Sequence, residues 1–279
     1  MKKTVLITGA NSGVGKALSL MCAEEGYKVV MVCRNKHKGE NAQKEIISRS
    51  KSDSVHLLTA DFSSICSIES LVQEFKNKFD SLDVLANNAG LSLPKREISV
   101  DGFEKVFATN HIGYFHLTNL LLDVLKLQSH SRIINVASQA HQSIDFSDLM
   151  SEKNYNQYKT YGRSKMANIM FTYELAERLK ATNITVNCVH PGVVRTNIYD
   201  NVHFSVKILI TMLKPFFISS ETSAKYIFPL ISSDKYEKIT GKYFIKGVET
   251  ESKKGSDNKD DWKRLWELTE TLINRKEIV

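Results

Sequence analysis

Two tyrosine–lysine pairs with the same spacing lie in one short stretch, "YNQYKTYGRSK", which runs from Tyr155 to Lys165. Tyr155 stands four residues before Lys159, and Tyr161 stands four residues before Lys165. On a helix, residues four apart share one face, and an ammonium group beside a phenol makes the phenolate easier to form. Such a pair suits proton transfer. Because the spacing also arises by chance in helices, the pairs alone do not show whether either is catalytic.

A glycine-rich segment near the N-terminus is a second candidate site. The sequence "TGANSGVG" (Thr8–Gly15) lies between an apolar strand, Lys3–Ile7, and a predicted helix. Glycines let the backbone approach a pyrophosphate, and the start of a helix offers free N–H groups. The spacing Gly9-x3-Gly13-x-Gly15 differs from the usual Gly-x-Gly-x2-Gly pattern, but the strand and the helix lie where a dinucleotide site needs them. The segment therefore predicts a dinucleotide-binding turn.

The end of the next predicted strand, Lys28–Cys33, distinguishes between two dinucleotides. A protein that prefers NAD usually has a carboxylate there for the ribose hydroxyls. This chain has Arg34, with no acid nearby in the sequence and with Lys36 and Lys38 close behind. An arginine can bind a 2′-phosphate through two parallel hydrogen bonds, whereas an acid would repel it. The sequence therefore favours NADP(H); if Arg34 is instead an ordinary surface cation, only this preference is lost.

Apolar segments alternate with helical segments along the chain. Runs that are apolar on both faces are typical of parallel strands buried between helices. The sequence therefore predicts an α/β fold, a single doubly wound Rossmann domain over 1–279 with about seven parallel strands and helices on both faces. The predicted strands are Lys3–Ile7, Lys28–Cys33, Val55–Ala60, Leu82–Asn88, Arg132–Ser138, Ile184–Gly192 and Lys242–Ile245, and the predicted helices include Val14–Glu25, Ile65–Phe79, Gly102–Leu127 and Ser220–Ser232.

Composition is that of an ordinary globular protein. The 279 residues are 42% hydrophobic, with a mean hydropathy of −0.25, which suits one domain with a large core. The four cysteines are far apart and form no Cys-x2-Cys pair, so no disulfide framework and no metal site are expected, and a reducing cytosol is favoured. The 38 basic and 31 acidic residues give a net charge of +7. Because the cations are scattered, they indicate a solvated surface rather than a nucleic-acid partner.

Several motifs in order resemble those of the short-chain dehydrogenases/reductases. The resemblance extends from about Thr4 to Asn197 and includes the glycine-rich turn, "NNAG" (Asn87–Gly90), "YGRSK" and "HPGVVRTNI" (His190–Ile198). The stretches "VASQAHQSIDFSDL" and "SKMANIMFTYELAERL" are similar to the retinol dehydrogenase branch in particular. The resemblance implies hydride transfer between a nicotinamide and a carbonyl or alcohol carbon.

The resemblance also implies roles for individual residues. Only Tyr161 is followed by the family's x2-Ser-Lys, so it, rather than Tyr155, is the implied proton donor. Lys165 would stabilise the phenolate and hold the ribose, Ser138 would bind the substrate oxygen, and Asn110 would carry a proton relay. The candidate catalytic residues are Asn110, Ser138, Tyr161 and Lys165, and the candidate cofactor-binding residues are Gly9, Ser12, Gly13, Val14, Gly15, Arg34, Asp61, Phe62, Asn88, Ala89, Gly90, Tyr161, Lys165, Val194 and Thr196.

An apolar segment, "VHFSVKILITMLKPFFI" (Val202–Ile218), lies where the family has its variable substrate flap. As a flap over 197–220 it indicates a lipophilic alcohol or aldehyde substrate. Lys207 and Lys214 interrupt it, so it is too short to span a bilayer, although it could rest on a membrane surface. The flap is the preferred interpretation, and the two roles could coincide. The expected location is cytoplasmic, with the membrane surface as the alternative.

The leading hypothesis is an NADP(H)-dependent oxidoreductase that acts on a lipophilic aldehyde, ketone or alcohol. The alternatives on the same fold are a redox sensor that binds NADP without turnover and a membrane-associated scaffold. A sensor has no need of Ser138, Tyr161 and Lys165 together. The resemblance also implies pairing of long helices in a homodimer or homotetramer. The polar stretch 248–261 is predicted to be mobile and to precede a last helix.

Overall fold

One eight-stranded sheet runs through the part of the chain that the computed structural model describes, residues 2–193, 218–253 and 255–274. Its strand order is β3-β2-β1-β4-β5-β6-β7-β8. The first seven strands in this order pair in parallel, and the eighth is antiparallel. The predicted doubly wound α/β fold is confirmed, with one strand beyond the expected seven. The strands are β1 (Thr4–Thr8), β2 (Lys28–Cys33), β3 (Val55–Thr59), β4 (Val84–Asn87), β5 (Ser131–Val136), β6 (Ile184–His190), β7 (Lys242–Ile245) and β8 (Val248–Glu249).

Helices cover both faces of this sheet. Successive residues of a strand point to opposite faces, so β1 contributes to two apolar cores. Val5 and Ile7 belong to one core, and Leu6 belongs to the other. The helices are α1 (Gly13–Glu24), α2 (Lys36–Ser50), α3 (Ile65–Lys78), α4 (Lys105–Phe107), α5 (Gly113–Lys126), α6 (Gln157–Arg178), α7 (Ser220–Ser232) and α8 (Lys259–Asn274). Helices α1, α2 and α7 bury apolar residues in the first core, and α3, α5, α6 and α8 bury theirs in the second.

The predicted helix Gly102–Leu127 differs from the structure. Helix α4 begins at Lys105, and a π-helical turn, Ala108–Ile112, separates it from α5. A π turn adds one residue to a helical turn and frequently marks a functional site. Asn110 lies at its centre and is fully buried. The apolar periodicity continues through such a turn, so the pattern of the sequence does not reveal it.

Buried amides connect the middle of the sheet to two helices. Asn87 Nδ2 on β4 donates hydrogen bonds to Thr118 Oγ1 on α5 and to Asn135 Oδ1 on β5, each over 2.9 Å. Asn135 Nδ2 donates to Thr172 Oγ1 on α6, also over 2.9 Å. A buried polar group that loses its partner costs about 1–3 kcal/mol, so these bonds favour one arrangement of sheet and helices. They hold α6 against the ends of β4 and β5.

The described residues of the polar stretch 248–261 contact the rest of the domain. Val248 and Glu249 form β8, Tyr173 Oη on α6 lies 2.7 Å from Ser252 Oγ, and Trp262 Nε1 donates to the Ser256 carbonyl oxygen over 2.6 Å. The mobility of this stretch stays a prediction. Within the described ranges, no helix is both long and apolar enough to cross a membrane.

Candidate active site

A cleft of about 990 Å³ opens beyond the carboxyl ends of β1 and β4. The strand order reverses between these two strands, and ligands of doubly wound proteins bind at such a switch point. Val194 and Thr196, and most of the predicted flap 197–220, lie outside the described residues. The predicted site residues that line the cleft are Gly9, Ser12, Gly13, Val14, Gly15, Arg34, Asp61, Phe62, Asn88, Ala89, Gly90, Ser138, Tyr161 and Lys165.

The glycine-rich turn, the candidate cofactor cradle, packs closely against the chain after β4 at the start of α1. Gly9 has a φ of +67°, and a Cβ there would lie 2.9 Å from the Cα of Ala89. A Cβ on Gly15 would lie 2.5 Å from Asn88 Nδ2. The first turn of α1 leaves N–H groups without an intrahelical partner, and within the described residues the Ser12 side chain does not cap them. These N–H groups are suited to bind a pyrophosphate.

Thr8, at the end of β1, fastens this turn to the end of β4. Its Oγ1 accepts hydrogen bonds from the N–H groups of Asn88, over 2.8 Å, and Ala89, over 2.9 Å. Asn88 Nδ2 donates to the Thr8 carbonyl oxygen over 2.8 Å. These three hydrogen bonds, together called the Thr8 clamp, therefore join the glycine-rich turn to the chain after β4, and both segments carry candidate cofactor-binding residues. The sequence motifs assign no separate role to Thr8, although a hydroxyl at the end of a buried strand is a feature that can indicate one.

Arg34 and Asp61 face each other at the outer part of the cleft. Arg34 Nη1 lies 3.8 Å from Asp61 Oδ2, and the arginine side chain is 64% exposed. Asp61 Oδ1 accepts two hydrogen bonds from Ser63, one from its N–H and one from its hydroxyl. A long ion pair at an exposed position contributes about 0–1 kcal/mol, so it leaves Arg34 able to bind an incoming anion.

Lys165 is the buried cation of the cleft. It is 3% exposed, and its Nζ donates a hydrogen bond to the Val136 carbonyl oxygen over 2.9 Å. The same nitrogen lies 5.7 Å from the centroid of the Tyr161 ring and 5.6 Å from that of Tyr114. Burial disfavours the charged form and lowers the pKa of Lys165 to about 7. A negative group brought beside it would favour the ammonium form.

The two tyrosine–lysine pairs differ in the structure. Tyr161 and Lys165 both lie on α6, and the half-buried Tyr161 lines the cleft. Tyr155 precedes α6, which begins at Gln157, so Tyr155 and Lys159 do not share a helical face. The Tyr155 hydroxyl donates to the Leu93 carbonyl oxygen over 2.7 Å, and burial raises its pKa. Tyr155 therefore links the chain before α6 to Leu93, which lines the cleft.

Ser138 follows β5, which ends at Val136 rather than at Ser138 as predicted. It is 8% exposed, and its Oγ accepts a hydrogen bond from the Ala140 N–H over 3.1 Å. The loop that carries it lies directly against α6, because a Cβ on Gly162 would be only 2.7 Å from the Ala140 carbonyl oxygen. Gly162, next to Tyr161, therefore permits the close approach that brings Ser138 and Tyr161 into one cleft.

Asn110 lies behind the cleft wall and is not one of its lining residues. Its Oδ1 accepts from the Leu91 N–H over 2.8 Å, and its Nδ2 donates to the Leu91 carbonyl oxygen and to Ser164 Oγ, each over 3.0 Å. Ser164 Oγ in turn donates to the Tyr161 carbonyl oxygen over 2.7 Å. The Asn110 side chain therefore links the chain after β4 to α6 through hydrogen bonds. Its role in a proton relay stays a prediction.

The described part of the chain contains no group of three or more His, Cys, Asp or Glu side chains that could hold a metal ion. All four cysteines are free thiols, of which Cys66 is exposed. The cleft is lined by Ser138, Tyr161 and Lys165 together with the glycine-rich turn. Together with the sheet order, this defines a doubly wound α/β protein with a dinucleotide-type cleft.

Comparison with known proteins agrees with this class. The family model for short chain dehydrogenase matches residues 3–204. Retinol dehydrogenase 14 of Homo sapiens is 37% identical over 289 residues, which cover 97% of this chain and 86% of that protein. The crystal structure of an uncharacterized protein from Mycobacterium paratuberculosis has a TM-score of 0.78 at 29% identity, and the match covers 98% of this chain and 93% of that one. The chain belongs to the short-chain dehydrogenase/reductase family, in the branch of the retinol dehydrogenases.

Proposed function

We propose that the protein is an NADP(H)-dependent oxidoreductase that interconverts a lipophilic aldehyde or ketone and the corresponding alcohol. Membership of the family defines it as an oxidoreductase that transfers a hydride with a nicotinamide cofactor. One observation carries the finer proposal. The Nζ of the buried Lys165 lies 5.7 Å from the centroid of the Tyr161 ring, and both residues line the same cleft as Ser138.

The cleft fits a dinucleotide. Gly9 and Gly15 let the turn pack closely against Asn88 and Ala89, where a Cβ would clash. The first residues of α1 line the cleft, so their free N–H groups would bind a pyrophosphate there. Arg34, which is mostly exposed, would bind the 2′-phosphate of NADP. Lys165 would hold the nicotinamide ribose, and the chain around Val194 and Thr196 would hold the carboxamide. A bound nicotinamide supplies or accepts the hydride.

The side chains of the cleft would handle the proton. In the direction of reduction, Ser138 Oγ binds the carbonyl oxygen and the Tyr161 hydroxyl gives that oxygen its proton. A free tyrosine has a pKa of about 10, so lowering this pKa to about 7 requires about 4 kcal/mol of additional stabilisation of the phenolate. The Lys165 ammonium group contributes to this, and the phenolate in turn favours the charged form of the buried lysine.

The substrate side of the cleft supports a lipophilic molecule. Leu91, Leu93 and Val193 line it. The Ile218 N–H donates a hydrogen bond to the carbonyl oxygen of Val193, a lining residue, over 3.0 Å, so the described residues on either side of 194–217 meet beside the cleft. This supports the assignment of 197–220 as a substrate flap. Peripheral contact with a membrane and assembly as a homodimer or homotetramer stay predictions.

Carbonyl-dependent oxidation of NADPH and, separately, of NADH tests the proposal. The carbonyl panel contains medium-chain aldehydes, aromatic ketones and retinal. We expect turnover that prefers NADPH and an apolar carbonyl. Binding of NADPH without turnover of any carbonyl would favour the redox sensor, and no binding of either cofactor would favour the scaffold. Turnover that prefers NADH would support the oxidoreductase assignment but contradict the binding of a 2′-phosphate by Arg34.

A further inference from the structure

His141 lies three residues beyond Ser138 and is 2% exposed. Its backbone N–H donates to the Ser138 carbonyl oxygen over 3.2 Å, and its ring Nδ1 lies 2.7 Å from the same oxygen. Within the same turn, the Ala140 N–H donates to Ser138 Oγ over 3.1 Å. The two oxygens of Ser138 are therefore both held by the short turn that ends at His141.

The neighbours of the His141 ring determine its tautomer. A carbonyl oxygen only accepts hydrogen bonds, so Nδ1 carries the proton and donates to Ser138. Nε2 lies 3.1 Å from the Lys253 backbone nitrogen, whose N–H only donates, so Nε2 is unprotonated and accepts. The ring is thus neutral, and both of its nitrogens are bonded. Because Nδ1 donates and Nε2 accepts, only one orientation of the imidazole ring satisfies both hydrogen bonds.

Lys253 belongs to the segment that follows β8, 112 residues beyond His141. Besides its N–H bond to the ring, its Nζ donates to the His141 carbonyl oxygen over 3.3 Å. The Tyr243 ring on β7 packs edge-on against the imidazole, with the ring centroids 5.6 Å apart. The neighbouring Ser252 hydroxyl lies 2.7 Å from the Tyr173 hydroxyl on α6. The segment Ser252–Lys253, called the C-terminal segment below, therefore contacts His141 directly and is hydrogen-bonded to α6.

A histidine that only fills space in a core needs no bond to the residue that faces the substrate. Here the ring bonds Ser138 on one side and Lys253 on the other, although His141 does not line the cleft itself. We infer that His141 is a positioning residue, which holds the Ser138 hydroxyl at the substrate oxygen, and that the Lys253 backbone holds His141. The inference rests on the proposed function, because Ser138 has its role only there. A group that stabilises developing charge must be held in place before the reaction.

Three substitutions of His141 distinguish the effects of the two hydrogen bonds that its ring makes. His141→Asn places an amide nitrogen near the position of Nδ1, so it retains the donor to Ser138 and loses the acceptor for Lys253. His141→Gln reaches the position of Nε2, so it retains that acceptor and loses the donor. His141→Leu loses both. A matched control is His56→Leu on β3, because that ring also packs on an aromatic, Phe79 at 5.2 Å, but does not line the cleft.

The measurements are kcat, the KM for NADPH and the kinetic isotope effect with deuterated NADPH. We expect His141→Leu and His141→Gln to lower kcat by about ten- to hundredfold, since a small misplacement of a reacting group costs up to about a hundredfold. His141→Asn should lower kcat by only about three- to tenfold, because it retains the donor to Ser138 although it loses the hydrogen bond to Lys253. The KM for NADPH should not change. The isotope effect should increase in the two slow variants because the chemical step becomes rate-limiting.

A second pair of variants tests the contribution of the C-terminal segment. Lys253→Pro removes the N–H that bonds His141, whereas Lys253→Ala retains it. We expect the proline variant to lower kcat and the alanine variant to retain most of it. A wild-type kcat in folded His141→Leu, or equal losses in all three His141 variants with an unchanged isotope effect, would overturn the inference. A wild-type protein that turns over no carbonyl, or an active Ser138→Ala, would overturn the proposed function instead.

Discussion

The ammonium group of Lys165 donates a hydrogen bond to the carbonyl oxygen of Val136 over 2.9 Å. This bond joins α6 to the end of β5, two residues before Ser138. The cation that faces Tyr161 and the loop that carries the serine are therefore anchored at one point. Because the lysine is buried there, its charge acts on the phenol across a medium that screens it far less than water does.

Replacing Tyr161 by phenylalanine should remove turnover and retain cofactor binding. The ring and its packing stay, but the proton donor is lost, which costs about 10²- to 10⁴-fold in kcat. Turnover with the best carbonyl and fluorescence titration with NADPH measure the two effects. Tyr158→Phe is the matched control, because this tyrosine of α6 is 48% exposed. An active Tyr161→Phe beside an inactive Tyr155→Phe would show that the catalyst has been assigned to the wrong tyrosine.

Replacing Arg34 by alanine should weaken the use of NADPH and leave that of NADH nearly unchanged. A hydrogen bond to a charged group contributes about 1.5–3 kcal/mol, which corresponds to about ten- to hundredfold in the KM for NADPH. Steady-state kinetics with both cofactors measure the ratio. Lys44→Ala on α2 removes an exposed cation that does not line the cleft and should have little effect. An equal loss for both cofactors would contradict 2′-phosphate binding by Arg34.

The stability of the protein should depend on pH through Lys165. Burial lowers the pKa of this lysine to about 7, whereas a lysine in the unfolded chain has a pKa of about 10.4. Between these values the unfolded chain binds more protons than the folded one, so this lysine's contribution to the free energy of unfolding increases as the pH rises. The contribution is complete above the unfolded pKa and is lost as the pH falls to about 7.

Lys165→Met removes this titration. Urea unfolding of both proteins at several pH values across the window measures the difference in their free energies of unfolding. We expect the wild-type protein to gain stability relative to the variant with rising pH. A difference that stays constant across the window would show that the lysine retains an ordinary pKa in the folded protein.

Thr8→Val should loosen the clamp between the glycine-rich turn and β4. Valine has nearly the shape of threonine, but it cannot accept from the Asn88 and Ala89 N–H groups. We expect a loss of about 1–3 kcal/mol in the free energy of unfolding and weaker NADPH binding. Thr8→Ser retains the hydroxyl and should bind NADPH nearly as tightly as the wild type. Equal NADPH affinity in the two variants would exclude a role for the hydroxyl in forming the cofactor cradle.

Much of the fold follows from local patterns. Strands such as β1 and β2 are apolar on both faces because helices cover both sides of a parallel sheet, and this is visible in any single strand. The predicted α7, Ser220–Ser232, agrees with the structure residue for residue. Helix boundaries that depend on contacts were less predictable. The sequence predicts one continuous helix through Asn110, because the apolar periodicity continues through the π turn, and the bonds of Asn110 to Leu91 and Ser164 have no local signature.

The sequence by itself determined the family and the glycine-rich turn, and through the family resemblance it predicts Tyr161 as the catalyst from its Ser164–Lys165 neighbours. These features depend on residue types at short spacings, which a linear chain displays directly. Only the tertiary structure showed the Thr8 clamp, the Lys165–Val136 bond and the contact of Lys253 with His141. Each joins residues on different elements, and the last joins residues 112 positions apart. Such contacts have no local signature because they form only when packing of the whole sheet brings the partners together.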